Sequence, residues 1–257
     1  MAGLVNPAAT TAALVALAGM TTALGVLLAR RFARRAKIDG ENEIVGWMFS
    51  GIVVVGAVFL AFVVFSVHDR YSALRVATTD EAAQLVVVYR DTQTFVGPAK
   101  IHAQAALLQY ANDVMAKEWK SHGALLAHNS GDALNPVWAA YRSRPGADPN
   151  GAIEGRLHDL EHIRHLRHLA GEASLPGGFW PLLIGGAAVT IIAALFFSME
   201  RLGVQIVLTT LLAMMLTGTL LLISALNRPF TGPTPISQRP FEHAVLNFAA
   251  LDLTADR

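Results

Sequence analysis

The chain has 257 residues, 53% of them hydrophobic and only 15% charged, with 20 Lys and Arg against 19 Asp and Glu and a net charge of +1. That composition is too apolar for a soluble domain of this size and points to a membrane protein, while the near-neutral total gives no electrostatic footprint for nucleic acid. With no Cys in the chain, disulfides, thiolate metal sites and a cysteine nucleophile are excluded.

The first uncharged run, Ala8 to Ala29, is long enough to span a bilayer. A secretory signal carries its positive charge before the apolar core, whereas here Arg30, Arg31, Arg34, Arg35 and Lys37 follow it. We therefore expect a mature transmembrane helix. The second run, Ile44 to Val67, passes without a proline into His68-Asp69-Arg70-Tyr71 and keeps helical spacing to Arg90. This predicts one long helix from Glu41 to Arg90, half in lipid and half in water. Two further uncharged runs, Phe179 to Ser198 and Val204 to Ala225, are joined by the polar link Met199-Glu200-Arg201-Leu202-Gly203.

About 110 residues of mixed polarity lie between the two pairs of spans. Apolar residues recur there at three and four residue intervals, through Leu74, Leu85, Val88 and Tyr89, through Ile101, Leu107, Leu108, Ala111, Val114 and Met115, and through Ile153, Leu157, Leu160, Ile163, Leu166 and Leu169. Breakers stand at Gly97-Pro98, His128 to Gly131, Pro145 to Gly151 and Leu175 to Gly178, and a shorter helix is expected around Val137 to Tyr141. The expected fold is all-α, a four-helix transmembrane bundle with a helical soluble insert continuous with the second span. Residues 1–67 form the first transmembrane pair, 68–177 the soluble helical domain, 178–226 the second pair, and 227–257 a Pro-rich tail with a short amphipathic helix, Phe241 to Leu251, that can pack on the insert.

Five cationic residues within the eight positions 30–37 place that loop in the cytoplasm by the positive-inside rule, and hence the N-terminus, the insert and the C-terminus outside. Taking about 100° per residue, Gly46, Ser50, Ala57, Ala61 and His68 share a narrow face of the second span. Such a face serves either as a pore lining, with Asp69, Arg70 and Glu81 at the mouth or junction, or as a helix-packing surface. No ionisable side chain lies within the four runs, which argues against a proton relay inside one subunit and leaves room for a hydrophobically gated pore between subunits. Thr210, Thr217 and Ser224 repeat every seven residues in the last span, either along a wet path or bonded to carbonyls one turn back.

In the insert, Glu154, His158, Glu161, His162 and His165 lie along one helix with His168 at the edge, a pattern read as a weak metal or pH-sensing face or as an ordinary solvated one. Glu81, Arg70, Arg75 and Arg90 are read as exposed interhelical pairs. No phosphate loop, nucleophile elbow or paired-carboxylate motif occurs, so no catalytic residue and no cofactor is assigned, and enzyme function is not expected.

The order Asn42-Glu43-Ile44-Val45-Gly46-Trp47-Met48-Phe49, Leu60 to Val64, Glu81-Ala82-Ala83, Tyr89-Arg90, Tyr110 to Val114, Glu118-Trp119, Arg164, Arg167, Leu175-Pro176, Trp180, Gln205 and Arg228-Pro229-Phe230 with Gly232 resembles the bestrophin-like domain family of bacterial four-span membrane proteins. One departure is Asn227, where the family usually has an acidic residue. The resemblance implies a distant likeness to bestrophins: homo-oligomeric plasma-membrane ion channels with a pore lined by the second span, and with the helical insert in the cytosol. The expected partners are the lipid bilayer, further copies of the chain and inorganic ions. The rival reading is a non-conducting membrane sensor or scaffold whose soluble domain binds a partner or metal.

Overall fold

A computed structural model describes residues 7–33, 42–119, 133–143, 148, 150–172, 174–196 and 201–255. Eight α-helices run through them, and no strand occurs among the described residues. They are α1 (Pro7–Ala33), α2 (Asn42–Thr92), α3 (Pro98–Asp113), α4 (Asn135–Ser143), α5 (Ala152–Glu172), α6 (Phe179–Phe196), α7 (Leu202–Leu226) and α8 (Arg239–Ala255), with a π-helical turn, Val114–Glu118, directly after α3. Of the basic residues after the first span, Arg34, Arg35 and Lys37 fall outside the described residues, as does the expected break at His128 to Gly131.

The chain divides into two compact units, residues 1–68 with 175–227, and residues 69–174 with 228–257. In the first, α1, α2 and α7 are long and apolar enough to cross a membrane. The apolar α6 has 18 residues, about 27 Å at 1.5 Å per residue, close to the hydrocarbon thickness. α1 packs along α7 and α6. At Gly19 the approach is close, since an added Cβ would stand 3.1 Å from Met214 Cγ and 3.2 Å from Thr210 Cγ2, the small-residue contact that membrane helices favour. The membrane half of α2 joins this unit mainly through Val63 and Val67, which pack with Leu175, Leu183 and Ile223. The turn that starts α6 is fixed by Asn227, whose Oδ1 accepts a hydrogen bond of 2.7 Å from the Leu175 amide.

The second unit has its own core, in which Leu85, Val88, Leu107, Ala111, Leu134, Val137, Leu157, Leu160, Phe241 and Phe248 are buried together. Three local devices set its frame. Gly97, at φ 63° and ψ −146°, turns the chain ahead of α3, and Pro98 begins that helix, a position where its missing N–H costs nothing. Asp148 caps α5, its carboxylate accepting from the amides of Ala152, Ile153 and Glu154 at 3.1, 3.0 and 3.3 Å. The π turn re-aims Trp119, whose Nε1 donates to the Ile236 carbonyl at 2.9 Å and whose ring meets Phe230 and Phe241 edge-on.

The C-terminal helix is longer than its amphipathic pattern predicted and is fastened to α2 and α3. Phe248 stacks on Tyr89 at 4.1 Å. Asp252 accepts hydrogen bonds from Tyr89 at 2.7 Å, Gln93 at 3.1 Å and Gln104 at 3.3 Å. Burial, then the bond to Asp252, raises the pKa of the Tyr89 phenol.

Candidate functional site

The membrane half of α2 has three sectors. The side toward its own unit carries Val63 and Val67, with Phe59, Leu60 and Val64 partly buried beside them. A second sector is bulky and uncovered: Trp47 is 75% exposed, Val55 71%, Phe62 69% and Phe65 69%. Between the two runs the small-residue face. Ser50, Ala57, Ala61 and His68 are all exposed and Gly46 is half-buried. The glycines of this stretch, Gly51 and Gly56, would meet nothing within 4 Å if they carried a Cβ. No described neighbour in the protomer therefore requires Gly51 or Gly56 to be small. The Ser50 hydroxyl donates back to the Gly46 carbonyl at 2.9 Å, which occupies its proton within the helix.

In α7 the expected hydroxyl stripe is not uniform. Thr209, outside that stripe, donates to the Gln205 carbonyl at 2.7 Å, as membrane hydroxyls commonly do. The Thr210 oxygen is buried with no hydrogen-bond partner among the described residues. Thr217 and Ser224 are partly buried.

Where α2 leaves the apolar stretch, His68 and Asp69 are exposed, Arg70 Nη1 donates to the Ser174 carbonyl at 3.3 Å, and Tyr71 donates to the Thr234 carbonyl at 3.1 Å. Glu81 departs from the sequence expectation. It stands at no mouth and in no exposed pair: it is 0% exposed in the middle of the second unit. The reason is helical phase, because Leu74, Glu81, Leu85 and Val88 share the buried stripe of α2. Arg75 and Arg90 are exposed as expected.

Around Glu81 lies a buried charge cluster. Arg167, itself 0% exposed, approaches it side-on, with Nε 2.5 Å from Oε2 and Nη2 3.2 Å from Oε1. Tyr110 donates to Oε1, and Arg164 in turn donates to the Tyr110 oxygen. The Arg164 guanidinium lies 4.9 Å from the Tyr110 ring centre, and that of Arg167 lies 5.8 and 5.9 Å from the Phe241 and Trp119 rings, within cation–π range. Burial, reinforced by the Glu81 charge, pushes the Tyr110 pKa well up against the opposing pull of the arginines, so the phenol stays a donor. Charges this deep require pairing and hydrogen bonds on every side, and the cluster joins α2, α3 and α5. Sequence reasoning did not assemble it. The available signal was Arg164 and Arg167, three residues apart in phase with Leu157 and Leu160 on α5.

The histidines of α5 do not converge. His158, His162 and His165 are exposed and His168 is buried, and no cluster of three or more potential metal ligands occurs among the described residues. His158 instead lies against the Trp138 ring, at 4.9 Å between centroids, with Nδ1 3.5 Å from Glu161 Oε2.

Comparison with known proteins follows the same outline. No curated protein matches the chain. Among solved structures it is similar to two mutated forms of a bacterial bestrophin homologue from Klebsiella pneumoniae. One aligns at 12% identity over 93% of this chain and 98% of that one, with a TM-score of 0.70. The other aligns at 10% identity over 92% and 96%, with a TM-score of 0.62. At these identities the likeness is one of fold. A sequence profile described as a Bestrophin-like domain matches residues 16–241, nearly the whole of the helical architecture described above. The chain belongs to the bestrophin-like domain family.

Proposed function

We propose that the protein is a homo-oligomeric ion channel of the bacterial plasma membrane, its pore lined by the small-residue face of α2. The observation that carries this reading is the exposure of Ser50, Ala57, Ala61 and His68 along a face that no helix among the described residues covers. Copies arranged around an axis bring such faces together and leave a narrow apolar passage, which gates by wetting rather than by fixed charge. Gly46 sits at one end of the face, and His68 with Asp69 forms the mouth. Arg70, tied to the Ser174 carbonyl, shapes that junction, and Glu81 plays no part in it.

The Ser50 back-bond favours a second reading, in which the same faces only pack copies together in a non-conducting sensor or scaffold. Reconstitution in planar bilayers separates the two. A ring-shaped particle with conductance that falls on Ala61→Trp supports the channel, and an oligomer silent across pH and salt conditions supports the scaffold.

The cationic residues that follow α1 favour a soluble unit outside the cell by the charge rule. Because the chain has no Cys, a single His162→Cys variant labelled by an impermeant maleimide in whole cells tests this. Labelling only after lysis would put the unit in the cytosol.

A further inference from the structure

α4 has nine residues, too few for a helix to be stable by its own hydrogen bonds, so its neighbours hold it. Toward α3 it packs through Ala140, buried with Ala103, beside an open groove of about 510 Å³ lined in part by His102, Ala105, Gln109, Pro136, Ala139 and Ser143. Toward α5 the fit is polar and specific. Trp138 Nε1 donates to Glu161 Oε1 at 2.6 Å, and one turn on, Tyr141 reaches Asp148 at 3.3 Å and Glu154 at 3.4 Å. His158 completes a triangle with Trp138 and Glu161, its ring tilted 54° against the indole and its Nδ1 3.5 Å from the second oxygen of the same carboxylate.

We propose that His158 is a proton-operated clasp, holding α4 on α5 through Trp138 and Glu161 when its imidazole is charged and relaxing that hold when it is neutral. A neutral imidazole offers Glu161 one hydrogen bond at most and meets the indole as one aromatic ring meets another. Adding a proton turns the same ring into a cation that is attracted both by the carboxylate and by the indole π system, without moving either. The charged and titratable groups around it on α5 are Glu154 one turn before, Asp159 beside it, Glu161, and His162 one turn after. Asp148 caps the same helix, and on α4 the charged residue is Arg142, one turn beyond Trp138. The clasp does not depend on whether the protein conducts, and its test reads no current.

The experiment uses the full chain in detergent micelles, taken from about pH 8 to about pH 5, the window in which histidines change charge. An imidazolium in contact with indole quenches its emission. The Trp138 component, obtained by subtracting the spectrum of Trp138→Phe, should therefore lose intensity on acidification. The loss should persist in His162→Gln and vanish in His158→Gln. An acid loss that survives in His158→Gln, or its absence in the unmodified protein, overturns the proposal. Amide exchange supplies a second reading that leaves the tryptophan in place. Residues 137–143 should exchange more slowly in the unmodified chain than in His158→Gln at the acid end, with the difference shrinking at the alkaline end. A ratio that does not change with pH overturns the clasp.

Discussion

Replacing Glu81 by Leu gives the sharpest test of the buried charge cluster. Leu matches much of the carboxylate side chain's volume but removes the group that holds Arg167 at 2.5 and 3.2 Å and accepts from Tyr110. Both Glu81 and Arg167 are 0% exposed, so water does not take over at either end. Removing one partner of such a pair costs about 3–5 kcal/mol, a large share of the roughly 5–15 kcal/mol that holds a domain folded. For a unit of this size that corresponds to a fall in melting temperature of about 10–20 °C, measurable by far-UV circular dichroism in detergent. Glu81→Gln, which keeps an acceptor oxygen but no charge, should fall between. The decisive variant is the double Glu81→Leu, Arg167→Met, which removes the buried cation that the single change strands and should recover a substantial part of the loss. A single variant that melts within about 2 °C of the unmodified protein, less than 1 kcal/mol, would refute the reasoning, as would a double variant no more stable than the single.

Alkali should destabilise the second unit through its tyrosines. Tyr89 and Tyr110 have raised pKa values in the folded state, so their contribution is complete below the unfolded value near pH 10 and is lost as pH rises toward the folded one, by about 1.4 kcal/mol per pH unit for each. Unfolding against pH above 10 should show that slope, and Tyr89→Phe should lower it by about one tyrosine's share; an unchanged slope contradicts the assignment. Asn227→Asp should leave stability nearly unchanged because the acceptor for the Leu175 amide survives, while Asn227→Ala should cost about 1–2 kcal/mol; equal melting temperatures for the two variants would show that this bond does nothing. Gly97→Ala should cost roughly 1–3 kcal/mol, since φ 63° with ψ −146° is a region reserved for glycine. Denaturant titration checks this, and a neutral result would mean the turn relaxes.

Much of the fold is legible in the chain because its helices are long and their breakers few. α2 runs Asn42–Thr92 where the uncharged run and the lack of proline predicted Glu41 to Arg90, and Gly97-Pro98 ends the connection as expected. The depth of Glu81 was not legible in the same way. A carboxylate on a helix is ordinarily solvated, and only its phase with Leu74 and Leu85 hinted otherwise. Its partners Tyr110, Arg164 and Arg167 stand on other helices, 29 to 86 residues away, and no local pattern announces such pairing. The π turn after α3 has no compositional signature either. At Asn227 the resemblance led to the expectation of an acidic residue, and the structure gives the physical role of the amide that stands there: its Oδ1 accepts from the Leu175 amide.

Exposure carries a different meaning along the two halves of α2. In the half that meets water, an uncovered apolar side chain costs about 25 cal/mol per Å², so burial there marks the core and exposure marks surface. In lipid that penalty disappears. Trp47, Val55, Phe62 and Phe65 can stand uncovered because acyl chains pack against large side chains as well as a helix would. What lipid does not reward is a small residue, which offers few atoms for dispersion contact. Ser50, Ala57 and Ala61 are uncovered by their own protomer and leave a furrow between the packed side of α2 and its bulky one. A furrow of that kind is filled by the backbone of a neighbouring helix or opened to water at an axis of symmetry. On the oligomeric reading proposed above, either case makes the small-residue sector the place for another copy, and an oligomer whose stability is unchanged by Ala57→Trp would refute that placement.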